Sequence, residues 1–459
     1  VDSNTHSCLL DFFTNKFNNH QAYQREYTID EAINRTDVMN PLKYTTGSGY
    51  WSMFGFKDGK KEFFTELPQE YDTNGEALPL RRTFSDKAKQ HVVPIWDQSF
   101  VQRLAKCTVD IHSGRIFSHF WISTNKDELR PLAKVQACKT RVFEQPGLEY
   151  TLLVRQCFGG FLDYFKTRSG FTFYHGIGDE KEAVWKTYAK VLKEHSVYGH
   201  AFDYKNYDGS LSQDAFQFFQ DVCDRFYNDK GKPTQKARMC LIRILRDAQH
   251  IMGRYYFESS KGNKSGNPFT DVFNSVCNFY VMGTAYLKCR AVAGLAPNMN
   301  TFDDEIKMLT YGDDVIITAK QSTLEYFRGD LIAEILSLYG YTITDSLKSS
   351  IVPQFVEFKD LTFLKSPFIE YEGVCLAPLP KKDIYKELCY APKQFATDET
   401  DVQQRVANVL RFMAHHGPVD LEIFKKQLAS RGIPRKWMSF TFDTFINEIR
   451  GKQSVACVE

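Results

Sequence analysis

Tyr311, Gly312, Asp313 and Asp314 set two adjacent carboxylates inside the stretch KMLTYGDDVIITA, with apolar residues on both sides. Two such charges repel by about 1 kcal/mol at 4 Å in water and by about 4 kcal/mol at an effective dielectric of 20. A hard divalent cation bound by oxygen offsets that repulsion, and Mg²⁺ characteristically combines one or two carboxylates with substrate phosphates. A solvated hairpin turn is the competing explanation, because Gly and Asp are ordinary turn residues. Asp203, near the end of SVYGHAFDY, is the natural third carboxylate, and Asp208 follows in the turn NYDGS. Alone, that pair means little, since an Asp ahead of a helix usually caps it.

Two further segments give the acids company. In KDELRPLAKVQACKTR, Lys126, Arg130, Lys134, Lys139 and Arg141 fall within sixteen residues, diluted by only two acids. Such a run is usually a solvated face, but beside the acidic cluster it could clasp a triphosphate. No G-K pair is followed by Ser or Thr in the frame of a P-loop, so a nucleotide site here is of another kind. In SGNPFTDVFN, Ser265 and Gly266 begin a turn, and Thr270 and Asn274 fall on one face of the helix that follows. The bland reading is an N-capped helix; the alternative is a helix N-terminus and an amide that hydrogen-bond a sugar or phosphate.

These residues need elements to hold them. The stretch ending at Tyr204 reads as a strand, which puts Asp203 at a strand end. SQDAFQFFQDVCDRFY carries a helical stripe of Ala215, Phe219, Val222, Cys223 and Phe226, and Ser210 with Gln213 fits a capping box at its start. The apolar runs around YGDD predict a hairpin with Gly312 supplying a positive φ. Near the C-terminus, Thr400 and Gln403 fit the cap of a helix striped by Val402, Val406, Val409, Leu410 and Met413, ended by Gly417 and Pro418. A second helix around LEIFKKQLASRG completes a small helical subdomain.

With 459 residues, 43% hydrophobic and 15% aromatic, the chain can bury a large core and divides into two or three subdomains. A net charge of +2 leaves any affinity for nucleic acid to local clustering. The eleven cysteines are scattered without a C-x-x-C pair, which argues against a zinc ribbon or disulfide scaffold and for reduced thiols. There is no apolar run of eighteen residues and no secretory signal pattern at the N-terminus. The missing initiator Met fits release from a longer precursor and fits a trimmed chain equally well.

In type and order, the motifs resemble those of viral RNA-dependent RNA polymerases, specifically the picornavirus-like group. The similarity runs from TTGSGY, the template-entry motif, through KDELR…KTR, FDYKNYDGS, SGNPFTDVFN and YGDD to ITDSLKSS and FLKSPF, most of the chain. The resemblance implies an α+β fold: a right hand of fingers, a palm of antiparallel sheet with helices, and a small helical thumb. It implies fingers over 1–160, palm over 161–239 and 263–370, a fingers insertion over 240–262, and thumb over 371–459. By resemblance, Asp203 and Asp313 are the main metal ligands, Asp314 an auxiliary one, and Tyr204 a backbone-carbonyl ligand. Lys348 is similar to the proton donor to pyrophosphate; Lys126, Arg130, Lys134 and Arg141 are similar to the triphosphate clamp. Asp208, Asn274, Ser265 and Thr270 resemble the group that checks the ribose 2′-hydroxyl. Thr46, Gly47 and Ser48 in the template-entry motif, and Lys365 near the primer strand, are the implied RNA contacts.

The implied cofactor is Mg²⁺, with Mn²⁺ as a substitute. The implied partners are an RNA template and primer, nucleoside triphosphates, a small protein primer and other replication proteins, in host cytoplasm at membrane-associated complexes. Reverse transcriptase is a neighbouring reading, against which Asp208 with Asn274 argues; a non-catalytic RNA-binding protein and a helicase are the others, the last weakened by the missing P-loop. Trp51 and Lys264 stand where this group commonly has Pro, Val1 stands where it has Gly, and fewer residues than usual precede TTGSGY.

Overall fold

The apolar runs flanking YGDD pair with each other, Ile306 opposite Ala319 through to Tyr311 opposite Asp314. In this computed structural model, which describes residues 1–36, 38–345, 351–389 and 399–455, that hairpin lies in a five-stranded antiparallel sheet. The strand order is Ile343–Asp345, Tyr198–Tyr204, Asp314–Ala319, Ile306–Tyr311, with Val356–Glu357 also pairing onto Tyr198–Tyr204. Alternation along the strands feeds two cores. Phe202, Tyr204, Met308, Val315 and Ile317 face the large core with the helices Gln213–Tyr227 and Thr270–Val292. Ala201, Leu309 and Ile316 face a smaller one with Trp185, Tyr188 and Leu192 of the helix Lys181–His195. A sheet covered on both faces calls for continuous apolar strands, which is why the runs around YGDD show so little polar alternation.

A second sheet runs Val142–Gln145, Trp121–Asn125, Ala248–Met252, Tyr255–Ser259. The pairing of Trp121–Asn125 with Ala248–Met252 is parallel, Trp121 opposite His250, so residues 248–259 return to the sheet begun by residues 121–145. The basic segment is the excursion between the first two of these strands, closed by the Lys126 amide donating to the Arg141 carbonyl at 2.9 Å.

The C-terminal helices Glu399–Ala414, Pro418–Ser430 and Phe442–Val455 surround a separate core containing Val406, Val409, Leu410, Met413, Leu421, Phe424 and Phe445. Val402 is only partly buried. Two capping expectations need correction. Thr400 lies inside the first turn of Glu399–Ala414 instead of capping it. The helix Gln213–Tyr227 is capped by Ser212, whose hydroxyl accepts from the Ala215 amide; Ser210 closes a separate short turn, Tyr207–Ser210, because Asn206 in the left-handed region starts that turn early. Every described cysteine is free. Among the described residues, no helix is long and apolar enough to cross a membrane.

Candidate active site

Register brings the acids together. Phe202 pairs with Val315, so the next step along the two strands sets Asp203 level with Asp314, one residue from the turn that holds Asp313. Gly312 occupies that two-residue turn at φ 65°, a left-handed conformation that favours glycine in hairpins of this kind. Burial pushes the Asp314 carboxyl up to about 6, with the charges of Asp313 and Asp203 adding to it. Asp313 is likewise raised, by burial first and then by Asp208 and Asp203. Among the described residues, no three His, Cys, Asp or Glu side chains converge to ion-holding distance as they stand. The fit to a divalent metal rests instead on shared strand ends and oxygen-only donors.

The helix Thr270–Val292 holds the turn from behind. The Gly312 amide donates to Ser275 Oγ at 2.9 Å, and Asn278 Nδ2 donates to the Gly312 carbonyl at 3.0 Å and the Asp313 carbonyl at 3.4 Å. Asn278 Oδ1 in turn accepts from the Tyr204 hydroxyl at 2.9 Å, so one buried amide ties the strand of Asp203 to the YGDD turn. Sequence reading missed Ser275 and Asn278. The available signal was a polar line, Thr270, Asn274, Asn278, spaced four apart on a largely apolar helix.

Asp208 and Asn274 do meet: Asn274 Nδ2 donates to Asp208 Oδ1 at 2.8 Å. Asn263, also missed, joins them, donating to Asn274 Oδ1 at 3.1 Å, while its main-chain amide donates to the Asp208 carbonyl at 2.8 Å. Burial raises the Asp208 carboxyl, against the lowering by Asn274 and Asn263. Ser265 is turned to Glu144, its hydroxyl donating to Oε2 at 3.0 Å, which links the SGNPF loop to the strand Val142–Gln145. Thr270 Oγ1 donates to the Asn267 carbonyl at 2.8 Å, so its hydroxyl serves its own loop. Lys264 explains itself: its buried ammonium donates to the carbonyls of Gly262, Lys261 and Arg246 at 2.9, 3.1 and 3.2 Å, an internal staple for the same loop.

Of the basic residues, Arg141 lies within electrostatic reach of Asp313 and Lys126 within reach of Asp208. Arg141 also pairs with Glu128, its Nε donating at 2.7 Å, and Arg130 Nε stands 3.6 Å from the same carboxylate. Lys134 is exposed on the short helix Leu132–Gln136 and takes no part in these contacts. Lys365 is exposed, 3.3 Å from Asp383, and its charge acts on Asp314. Lys348 lies outside the described residues.

The TTGSG loop is pressed against the end of the strand carrying Glu144. Thr46 Oγ1 accepts from Lys60 Nζ at 2.7 Å, and Ser48 is buried. A Cβ on Gly47 would lie 2.1 Å from Gln145 Nε2, and one on Gly49 2.2 Å from the Pro146 carbonyl oxygen, so side chains here would push the loop off. Trp51 is fully buried and donates from Nε1 to Glu149 Oε2 at 2.5 Å, anchoring the loop from its far side. Burial pushes the Glu149 carboxyl up to about 8.

The family described as viral RNA-dependent RNA polymerase matches residues 5–430. The replicase polyprotein of Drosophila C virus (strain EB) is 25% identical over 468 residues, covering 95% of this chain and 25% of that polyprotein. The genome polyprotein of Human rhinovirus 16 is 30% identical over 308 residues, 66% of this chain and 13% of that polyprotein. The chain therefore spans a quarter or less of these relatives. Among solved structures, a Sicinivirus 3Dpol RNA dependent RNA polymerase superposes with a TM-score of 0.72 at 17% identity, over 99% of this chain and 86% of that one, which shows a shared right-hand fold. A match across so much of its length means that the chain belongs to the viral RNA-dependent RNA polymerase family.

Proposed function

We propose that this chain copies an RNA template during viral genome replication, transferring nucleotides from nucleoside triphosphates to a primer 3′-hydroxyl. The observation that supports the reading is the register that sets Asp203 level with Asp314 beside the turn of Asp313, with Arg141 within electrostatic reach of Asp313. The family implies a divalent metal, and an all-oxygen donor set favours Mg²⁺, with Mn²⁺ as a substitute. Asp203 and Asp313 would hold it, with Asp314 and the Tyr204 carbonyl beside them. When bound, the metal supplies activation of the attacking hydroxyl and charge stabilisation for an in-line displacement.

The chain's own residues do the rest. Arg141 and Lys126, with Arg130 and Lys134 on the same segment, offset charge developing on the triphosphate, a role for which preorganised cations are well suited. Asp208 and Asn274, supported by Asn263, form a buried polar set that a 2′-hydroxyl can complete and a deoxyribose leaves unpaired. Ser265 and Thr270 shape the loop beneath. Thr46, Gly47 and Ser48 border the template, Lys365 the primer strand, and Lys348 the leaving pyrophosphate. The division into fingers (1–160), palm (161–239 and 263–370), fingers insertion (240–262) and thumb (371–459) belongs to the same reading. A small protein primer, other replication proteins and membrane-associated complexes in host cytoplasm extend it on the family resemblance alone.

Primer extension on a homopolymeric RNA template tests the reading. Extension with ribonucleotides is expected, abolished by Asp313→Ala and by chelation of divalent metal; activity that survives either overturns it. Preference for deoxynucleotides would assign reverse transcription, and RNA binding without incorporation across several templates and metals would assign a non-catalytic role.

A further inference from the structure

Between Phe363 and Ser366 the chain makes a tight turn. The amide of each donates to the carbonyl of the other at 2.9 Å, and the two residues between them, Leu364 at φ 49° and Lys365 at φ 62°, are both left-handed. Neither is glycine, and consecutive non-glycine residues in that region persist only where their surroundings over-determine them. The surroundings are the first turn of the helix Lys181–His195. Lys181 Nζ donates to Ser366 Oγ at 2.6 Å and to the Leu364 carbonyl at 3.4 Å, one partner on each side of Lys365. The ammonium also lies 4.6 Å from the centre of the Trp185 ring. Trp185 grips the next stretch, donating from Nε1 to the Pro367 carbonyl at 3.1 Å and stacking on Phe368 with ring centres 4.5 Å apart. A partly buried ammonium needs such partners, and here it finds two oxygens and an aromatic face.

The residue between these two clasps points elsewhere. Glu182 accepts from Arg411 Nε at 2.7 Å and Lys452 Nζ at 2.9 Å, and His415 Nε2 stands 3.4 Å away, all in the C-terminal helical subdomain. Gln453 Nε2 donates to the Glu182 carbonyl at 3.0 Å and the Cys375 carbonyl at 2.8 Å. A single helical turn thus holds the Lys365 turn on one side and the C-terminal subdomain on the other.

We propose that Lys181, backed by Trp185, is a positioning residue for the primer strand: it holds the Phe363–Ser366 turn in its left-handed form, so that Lys365 is carried on a fixed backbone. The inference rests on the reading of Lys365 as a primer-strand contact. Lys181 acts through the turn, and its ammonium also lies within electrostatic reach of Asp314.

The test is binding of a fluorescent primer–template duplex by anisotropy, which needs no turnover, beside the KM for nucleotide in extension. Lys181→Met and Ser366→Ala should each weaken duplex binding about five- to tenfold, the worth of a hydrogen bond to a charged donor. Nucleotide KM should stay within about twofold of wild type on that scale, and Lys181→Arg should restore most of the duplex affinity. Unchanged duplex binding in Lys181→Met, or a rise in nucleotide KM in step with it, overturns the inference. Should Lys181→Met fail to fold, Ser366→Ala, which leaves the helix untouched, decides by the same criteria. Lys365→Ala separates the two readings. If it binds duplex normally while Lys181→Met does not, the turn acts through its backbone and only the role of Lys365 falls. If it loses affinity while Lys181→Met does not, the clasp falls.

Discussion

Replacing Asp314 by Asn should make the metal-free protein more stable, although it removes a residue proposed to serve catalysis. The Asp314 carboxyl is held at about 6 against an ordinary 3.8, because it is partly buried and shares its surroundings with Asp313 and Asp203. A folded-state value above the unfolded one means that folding favours the protonated acid. The stability this group contributes is therefore full below about pH 4, lost as pH rises toward 6, and absent above that. Two pKa units correspond to roughly 3 kcal/mol as an upper bound, and solvent screening of a partly exposed group reduces this to about 1–2 kcal/mol. Asn carries the shape of the neutral acid at every pH. In EDTA at pH 7.5, Asp314→Asn should melt about 1–2 °C above wild type, since a chain of this length has a large unfolding entropy. The gap should close near pH 4 and narrow at pH 7.5 when Mg²⁺ is added, because a cation relieves the repulsion only in the wild type. A variant equal to or below wild type throughout pH 4–8 in EDTA would refute the claim that the site carries uncompensated negative charge.

On the proposed sugar check, Asn263→Ala, which removes a donor to Asn274 Oδ1 and a longer contact to Asp208 Oδ1, relaxes ribose selection. Ratios of ribo- to deoxynucleotide incorporation should fall about tenfold, as when one buried hydrogen bond is lost, and an unchanged ratio would count against the network. Gly312→Ala meets no close neighbour, Asn274 Cβ being 4.0 Å away, so its cost is the backbone strain at φ 65°. That is about 1 kcal/mol, read by thermal melting, with Gly312→Asn milder. Trp51→Phe leaves Glu149 buried without its donor and should cost about 1–3 kcal/mol. Glu149→Gln should be tolerated, and increasingly so as pH rises from the ordinary glutamate value toward 8, where the wild-type acid becomes a buried charge.

How much of this was legible in the sequence follows the range of the interactions involved. The YGDD hairpin could be read because a two-residue turn with glycine, between apolar strands, is settled by its own few residues. Asp203 and Asp208 were readable for the same reason, each sitting where a strand or a turn signal ends. Local reading then failed where a neighbour competed: Ser212 took the cap assigned to Ser210. It was blind to contacts across the fold. Nothing near Trp51 announces a carboxylate ninety-eight residues away, and nothing near Lys365 announces Lys181. Ser275 and Asn278 are the instructive case. Polar side chains buried on a helix packed into a core must find partners or cost several kcal/mol between them. The line Thr270, Asn274, Asn278 was therefore already a statement that something polar lies opposite. What lies there is the backbone of the turn itself. The neighbouring carboxylates can be held close because Gly312 and Asp313 are fixed through their amide and carbonyl groups, which leaves the charged side chains free of that task.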